Sequence, residues 1–183
     1  MSEHPLPDRL AEDLDSAFAT LVAEYQDAVY TAALRWSGNR HAAEDIAQET
    51  FLRAYSALGR YEDERVRALR PRPWLLAIAL NVFRNELRSV GRRPATRPLG
   101  ADALLVVEES RADDLASAIV LGLEEEQRVP VVLRHVLGLS YEEIAEVLQR
   151  PTGTVKTQVS RGIQRLREQL TADERNERAE VGG

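Results

Sequence analysis

The 183-residue chain has no cysteine. Disulfides, thiolate nucleophiles and cysteine-ligated zinc or iron–sulfur centres are therefore excluded, and a metal would have to use oxygen or histidine ligands. Histidine is scarce as well. His4, His41 and His135 lie far apart, and no two share the one-turn spacing that builds a zinc site on a helix. No apolar run approaches the roughly 18 residues of a membrane span. The polar start MSEHPLPDRL has no signal-peptide core, so the sequence predicts a cytoplasmic protein without membrane insertion. Positive charge of the lysine kind is nearly absent too: Lys156 is the single lysine among 24 basic residues.

What is present is an ordinary globular mixture, 44% hydrophobic and 30% charged, which excludes a mainly disordered or fibrous chain. At roughly 100 to 200 residues per domain, the length predicts one compact domain or two small ones. The net charge of −6 argues on its face against a polyanionic partner, but the charge comes in blocks. Residues 1–59 set ten acids against Arg9, Arg35, Arg40 and Arg53, a balance of −6, whereas 60–97 set ten arginines against four acids, a balance of +6. Residues 98–149 fall to −8, 150–168 return to +4, and the tail adds −2. Two basic islands between acidic stretches predict two contacts with a polyanion, the acidic parts facing solvent or a basic protein partner.

Apolar residues recur at helical steps. Phe18, Leu21, Val22, Tyr25, Val29, Ala32, Ala33 and Trp36 predict a helix over 16–37, ending near Gly38. Asn39 suits the cap of a second helix over 41–57, with Ala43, Ile46, Ala47, Phe51 and Tyr55 toward a core and Asp45, Gln48, Glu49 and Arg53 outside. Pro73 suits the first helical position of a third helix that runs to Gly91, its stripe formed by Trp74, Leu75, Ile78, Val82, Phe83, Leu87 and Val90. By this spacing Trp74 and Phe83 are core residues. GRYEDERVRALRPR, between the second and third helices, reads as a charged loop, and 91–113, with its prolines, glycines and an LLVV run, as a linker.

A second cluster of helices is predicted near 114–121, 124–137, 140–149 and 153–169. Ser140 and Glu143 stand at capping-box spacing, and QRPT at 149–152 is a short turn. Beyond it Val155, Val159, Gly162, Ile163 and Leu166 line one face; Lys156, Thr157, Ser160, Arg161 and Gln164 line the other. A short helix, a tight turn and a second helix with a cationic, hydroxyl-bearing face form a helix-turn-helix pattern. Lys156 and Arg161 offer charge for phosphates, while Thr157, Gln158 and Ser160 offer directional groups for base edges. Adjacent acids such as Glu124 to Glu126, or Glu142 and Glu143, read as solvated helix faces.

AAEDIAQETFLRAYSAL (42–58), followed by RPWLLAIALNVFRNELR (72–88), resembles region 2 of bacterial sigma factors of the extracytoplasmic-function (ECF) group. LRHVLGLSYEEIAEVLQRPTGTVKTQVSRGIQRLREQL (133–170) resembles region 4 of the same family. The resemblance implies an all-α chain of two small helical domains: an N-terminal extension over 1–15, region 2 over 16–90, a flexible linker over 91–113, region 4 over 114–170 and a disordered tail over 171–183. It implies a protein with no catalysis and no cofactor of its own, which binds RNA polymerase core, directs it to promoters and helps open the −10 element. The helix carrying Asp45, Gln48, Glu49 and Arg53 would dock on the clamp helices of the largest polymerase subunit, and region 4 would meet the flap of the second-largest.

By the same resemblance, the loop after Tyr61 and the face bearing Asn81, Arg84 and Arg88 handle −10 DNA, with a base extruded from the stack. Thr154, Lys156, Thr157, Ser160 and Arg161 read the −35 element, with Arg150 and Arg165 on phosphates. An anti-sigma factor is an expected partner. The chain departs from the family pattern at several places. Gln158 and Ile163 stand where relatives often carry basic residues, Gly162 where alanine is common, Gln149 where glycine is frequent, and Leu80 where arginine is frequent. Two other classes fit parts of the pattern: a stand-alone helix-turn-helix regulator, and a helical enzyme using carboxylates with a metal such as Mg²⁺.

Overall fold

A computed structural model describes residues 5–90 and 120–181, with side chains at 5–89 and 120–171; no strand occurs among them. The linker expected over 91–113 and most of the helix expected near 114–121 lie outside the described residues. Two compact units divide the chain. The first holds α1 (Leu6–Glu12), α2 (Leu14–Ser37), α3 (Arg40–Leu58), α4 (Asp63–Arg67) and α5 (Pro71–Val90). The second holds α6 (Glu125–Val131), which runs on as a π-helical turn (Val132–Val136), then α7 (Tyr141–Leu148) as far as Ala145, and α8 (Thr152–Val181).

Local chemistry sets the ends of the long helices. Gly38 closes α2 in a left-handed conformation (φ 66°), its amide donating to the Leu34 carbonyl. One residue later the Asn39 side chain accepts from the Ala42 amide at 2.9 Å and opens α3, as the sequence predicts. The two-residue turn folds α3 back along α2, and α5 packs against both. Leu21, Val29, Ala33 and Trp36 of α2, Ala43, Ile46 and Ala54 of α3, and Leu75, Leu76, Ala79, Leu80 and Phe83 of α5 are buried between them. Each large apolar side chain so enclosed contributes about 1.5–3 kcal/mol. Trp36 and Phe83 meet at 5.9 Å between ring centroids. Leu80 is a core residue at 1% exposure.

The N-terminal extension contains α1, anchored by buried Leu10 and packed against α2 and α4. Three expectations need correction. The charged loop contains α4, which buries Val66 amid its charges. The stripe that α3 turns to the core is Ala43, Ile46, Thr50, Ala54 and Leu58; Phe51 is half-buried and Tyr55 exposed, on a second apolar stripe one position further round. Thr50 fits the core because its hydroxyl donates to the Ile46 carbonyl of its own helix at 2.6 Å. The tail is not coil as far as Val181: α8 continues to that residue, through a run rich in Glu and Arg, good helix formers that need no apolar period to propagate a helix already begun.

In the second unit the Ser140 hydroxyl accepts from the Glu143 amide at 3.1 Å, and the Glu143 carboxylate accepts from the Ser140 amide at 2.8 Å. This reciprocal cap starts α7 where the sequence places it. The helix stops at Gln149, held in the left-handed region at φ 51°, while the Arg150 amide donates to the Ala145 carbonyl at 3.1 Å. That bond pattern is a Schellman stop, which a glycine would adopt without strain. Pro151 follows, and α8 begins at Thr152. α8 packs on α6 across Gly162, where the backbones come so close that a Cβ would stand 2.5 Å from Val131 Cγ2.

Candidate polymerase and promoter interfaces

The turn at 149–151 presents α8 with two faces. Val155, Val159 and Gly162 are buried. Thr154, Lys156, Thr157, Ser160, Arg161 and Arg165 are all exposed on the other side. These are six of the seven residues expected to read a −35 duplex, brought onto one surface by the helical period alone. The Thr157 hydroxyl donates to the Gly153 carbonyl at 3.0 Å, which leaves its oxygen to act as an acceptor. Lys156 Nζ lies 5.6 Å from the centroid of the Tyr141 ring, whose other close cation is Arg134 at 4.8 Å. The ring thus gathers two positive charges beside the reading face. Arg150, the seventh residue, is half-buried and pairs with Glu126 at 3.3 Å; such a surface pair is worth at most about 1 kcal/mol and exchanges readily for a phosphate. Gln158 turns inward, its side-chain oxygen buried, so it does not join the exposed directional groups.

In the first unit, Asn81 and Arg88 are exposed on α5 and Arg84 is half-buried. Arg88 donates to the Asn85 side chain at 3.3 Å. Asn81 also lines a groove of about 460 Å³ with Trp74 and Ile78 of α5, Leu52, Arg53 and Ser56 of α3, and Arg60 and Tyr61 of the connection. Trp74, expected in the core, is half-buried at the wall of this groove, edge-on to Tyr61 at 6.3 Å. The interior stripe of α5 is Leu75, Leu76, Ala79, Leu80 and Phe83, buried from the first turns of the helix onward; Trp74 shares the neighbouring face with Ile78 and Asn81 and looks into the groove instead. The Arg65 guanidinium covers the Tyr61 ring at 3.7 Å. Two aromatic faces, an amide and several arginines around a cleft can stack a base, hold its edge and neutralise its phosphate.

Of the residues expected to face polymerase, Asp45, Gln48 and Arg53 are exposed and Glu49 is half-buried. Glu49 accepts from Arg53 Nε at 2.6 Å. Asp45 acts across to α5: burial, then the Asp45 charge, raises the Glu86 carboxyl above the usual carboxylate range. Gln48 borders a second groove, of about 740 Å³, between α2 and α3, lined by Phe18, Val22, Tyr30, Ala47, Phe51, Leu52 and Tyr55 among others. Leu52 is 67% exposed and Tyr55 43%. The sequence signal for these residues is a second apolar stripe on α3, wider than one core-facing face requires. Among the described residues no group of His, Asp and Glu could hold a metal ion, and no helix is long and apolar enough to cross a membrane.

Comparison with known proteins divides the chain in the same way. The family described as Sigma-70 region 2 matches residues 21–93, and Sigma-70, region 4 matches residues 114–166. The ECF RNA polymerase sigma factor SigW of Bacillus subtilis (strain 168) is 34% identical over 172 residues, covering 84% of this chain and 89% of the relative. Among solved structures, CnrH in complex with the cytosolic domain of CnrY superposes with a TM-score of 0.70 at 27% identity, covering 92% of this chain and 96% of that one. The sigma factor RpoE of Bartonella quintana, in complex with the anti-sigma factor NepR, gives 0.67 at 25% identity, covering 85% and 98%. The chain belongs to the ECF group of RNA polymerase sigma factors, alternative sigma factors that direct the polymerase to promoters.

Proposed function

We propose that α8 reads a −35 duplex in the major groove, that the Trp74–Tyr61–Asn81 groove takes an extruded −10 base, and that the exposed side of α3 docks on the polymerase clamp helices. The observation that carries this assignment is the division of α8 into a buried face and an exposed cationic, hydroxyl-bearing face directly after a capped helix and a tight turn. Thr154, Thr157, Ser160 and Arg161 supply base-edge contacts, Lys156, Arg150 and Arg165 the phosphate contacts. At the −10 element, stacking on Trp74 and Tyr61 offsets part of the cost of extruding the base, at about 1–3 kcal/mol per stacked base. Arg84 and Arg88 hold the separated strand. On the polymerase side, Asp45, Gln48, Glu49 and Arg53 give polar register, and Leu52 with the neighbouring α2–α3 groove gives apolar area.

The chain works in the cytoplasm, performs no reaction itself and leaves phosphodiester chemistry to the polymerase. Region 4 contacts the flap of the second-largest subunit. An anti-sigma protein covers these surfaces when the factor is idle, a partner supported by the complex solved for the Bartonella relative. The assignment of α8 is tested by holoenzyme binding to promoter fragments with an intact or scrambled −35 hexamer. Wild type prefers the intact element, and Arg161→Ala narrows that preference. An Arg161→Ala holoenzyme with an unchanged preference contradicts the assignment.

A further inference from the structure

We infer that α1, which precedes the part of the chain matched by the region 2 family, is a positioning element for −10 base recognition: it fixes α4, and α4 fixes the Tyr61 wall of the base groove. The inference rests on the −10 assignment above. α4 is five residues long and buries a single one, Val66. A helix of that length has no stability of its own and takes its place from what it packs on. Its principal helical partner is α1, which likewise buries one residue, Leu10.

α1 is itself tied to the bundle. Arg9 donates to the Thr20 hydroxyl of α2 at 3.3 Å, and the Asp13 carboxylate that ends α1 accepts from the Ser16 amide at 3.2 Å, capping α2. On its other side, Asp8 faces Arg67 of α4 at 4.0 Å. α1 thus bridges the longest helix of the first unit to the shortest. From α4 the chain of contacts runs on to the groove: the Arg65 guanidinium lies 3.7 Å from the Tyr61 ring centroid, and Tyr61 stands edge-on to Trp74. Without α1, Val66 loses its cover, α4 loses its seat, and Arg65 no longer holds the Tyr61 ring. The groove then loses one wall, while α3 and its polymerase-facing side keep their packing on α2 and α5.

The test uses the full chain with core polymerase on two run-off templates that differ at one −10 base. Leu10→Ala removes the buried anchor, Asp8→Arg sets like charges against Arg67, and Leu10→Met restores volume. Core affinity and thermal unfolding are followed in parallel, with 2-aminopurine at the extruded position of a pre-opened template reporting base capture. Wild type discriminates between the templates. Leu10→Ala lowers that discrimination about tenfold, the scale one mismatched base carries, with core affinity within about twofold and with rescue by Leu10→Met. Asp8→Arg gives a smaller fall, about threefold, as befits a surface pair, and decides the question if Leu10→Ala fails to fold. Unchanged discrimination in a folded variant, or a fall matched by lost core affinity, overturns the inference. Absence of −10 discrimination in wild type overturns the −10 assignment, and the inference with it.

Discussion

An alanine in a helix interior is ordinarily worth about 1 kcal/mol more than a glycine, so Gly162→Ala would be expected to stabilise α8. The structure reverses that sign. A Cβ on residue 162 would lie 2.5 Å from Val131 Cγ2 and 3.5 Å from Gln127 Cβ, where carbon atoms prefer about 3.5–4.0 Å. Val131 is 2% exposed and β-branched, so its methyl cannot swing aside cheaply. Overpacking of this kind costs about 1–3 kcal/mol, which leaves a net loss of roughly 1 kcal/mol after the propensity gain. Both tryptophans lie in the first unit, so the assay is amide hydrogen exchange in α6 and α8 of the full chain. Protection there falls about fivefold for Gly162→Ala, the population change that 1 kcal/mol produces. Adding Val131→Ala to that variant recovers part of the loss, because the colliding methyl is gone. A Gly162→Ala protein whose α6 and α8 become better protected would refute the argument from close approach.

Four further outcomes follow from the same geometry. Gln149→Gly relieves the left-handed strain at φ 51° and stabilises the second unit by roughly 1 kcal/mol, read by the same exchange measurement. Glu86→Gln stabilises the first unit at neutral pH, because a carboxyl raised by burial and by Asp45 loses stability as it ionises. That gain, followed by urea midpoints, shrinks as pH falls and is gone below the ordinary glutamate value of about 4.3. Leu52→Asp, at a residue 67% exposed, weakens core binding about tenfold or more while leaving the unfolding midpoint in place. Holoenzyme binding to promoter DNA that neutralises about eight phosphates has a log–log salt slope near −7, and Lys156→Ala/Arg165→Ala makes it shallower by about 2.

Where a feature depends on neighbouring residues, the sequence displays it. Asn39 and the Ser140–Glu143 pair announce helix starts through side-chain chemistry that spans three residues, Gly38 announces a stop, and the 3.6-residue period puts six of the seven expected −35 residues on one exposed face of α8. α1 and α4 escape such reading because each is short, charged and buries one residue, so their helicity comes from packing on each other and on α2. The surplus apolar stripe of α3 is visible in the sequence, but its exposure is not: Phe51 and Tyr55 look like core until Thr50 is seen to occupy the interior position by bonding its own helix. Trp74 is apolar like the core stripe but lies on the next face of α5 with Ile78 and Asn81, so its wall of the groove appears once Tyr61 is folded against it. At Gly162 the sequence shows only a glycine inside a helix, and the contact with Val131 shows what its missing methyl makes room for.

The central claim is that this chain gives core polymerase its promoter choice through two surfaces, one on each unit. Run-off transcription with purified core on genomic promoter templates, comparing wild type with Lys156→Ala/Arg161→Ala, tests it most directly. The account predicts initiation that requires both core and the factor and that the double substitution weakens on templates carrying a −35 element. Factor-independent initiation, or a chain that binds duplex operator alone and gives core no new start sites, would contradict it in favour of a stand-alone helix-turn-helix regulator.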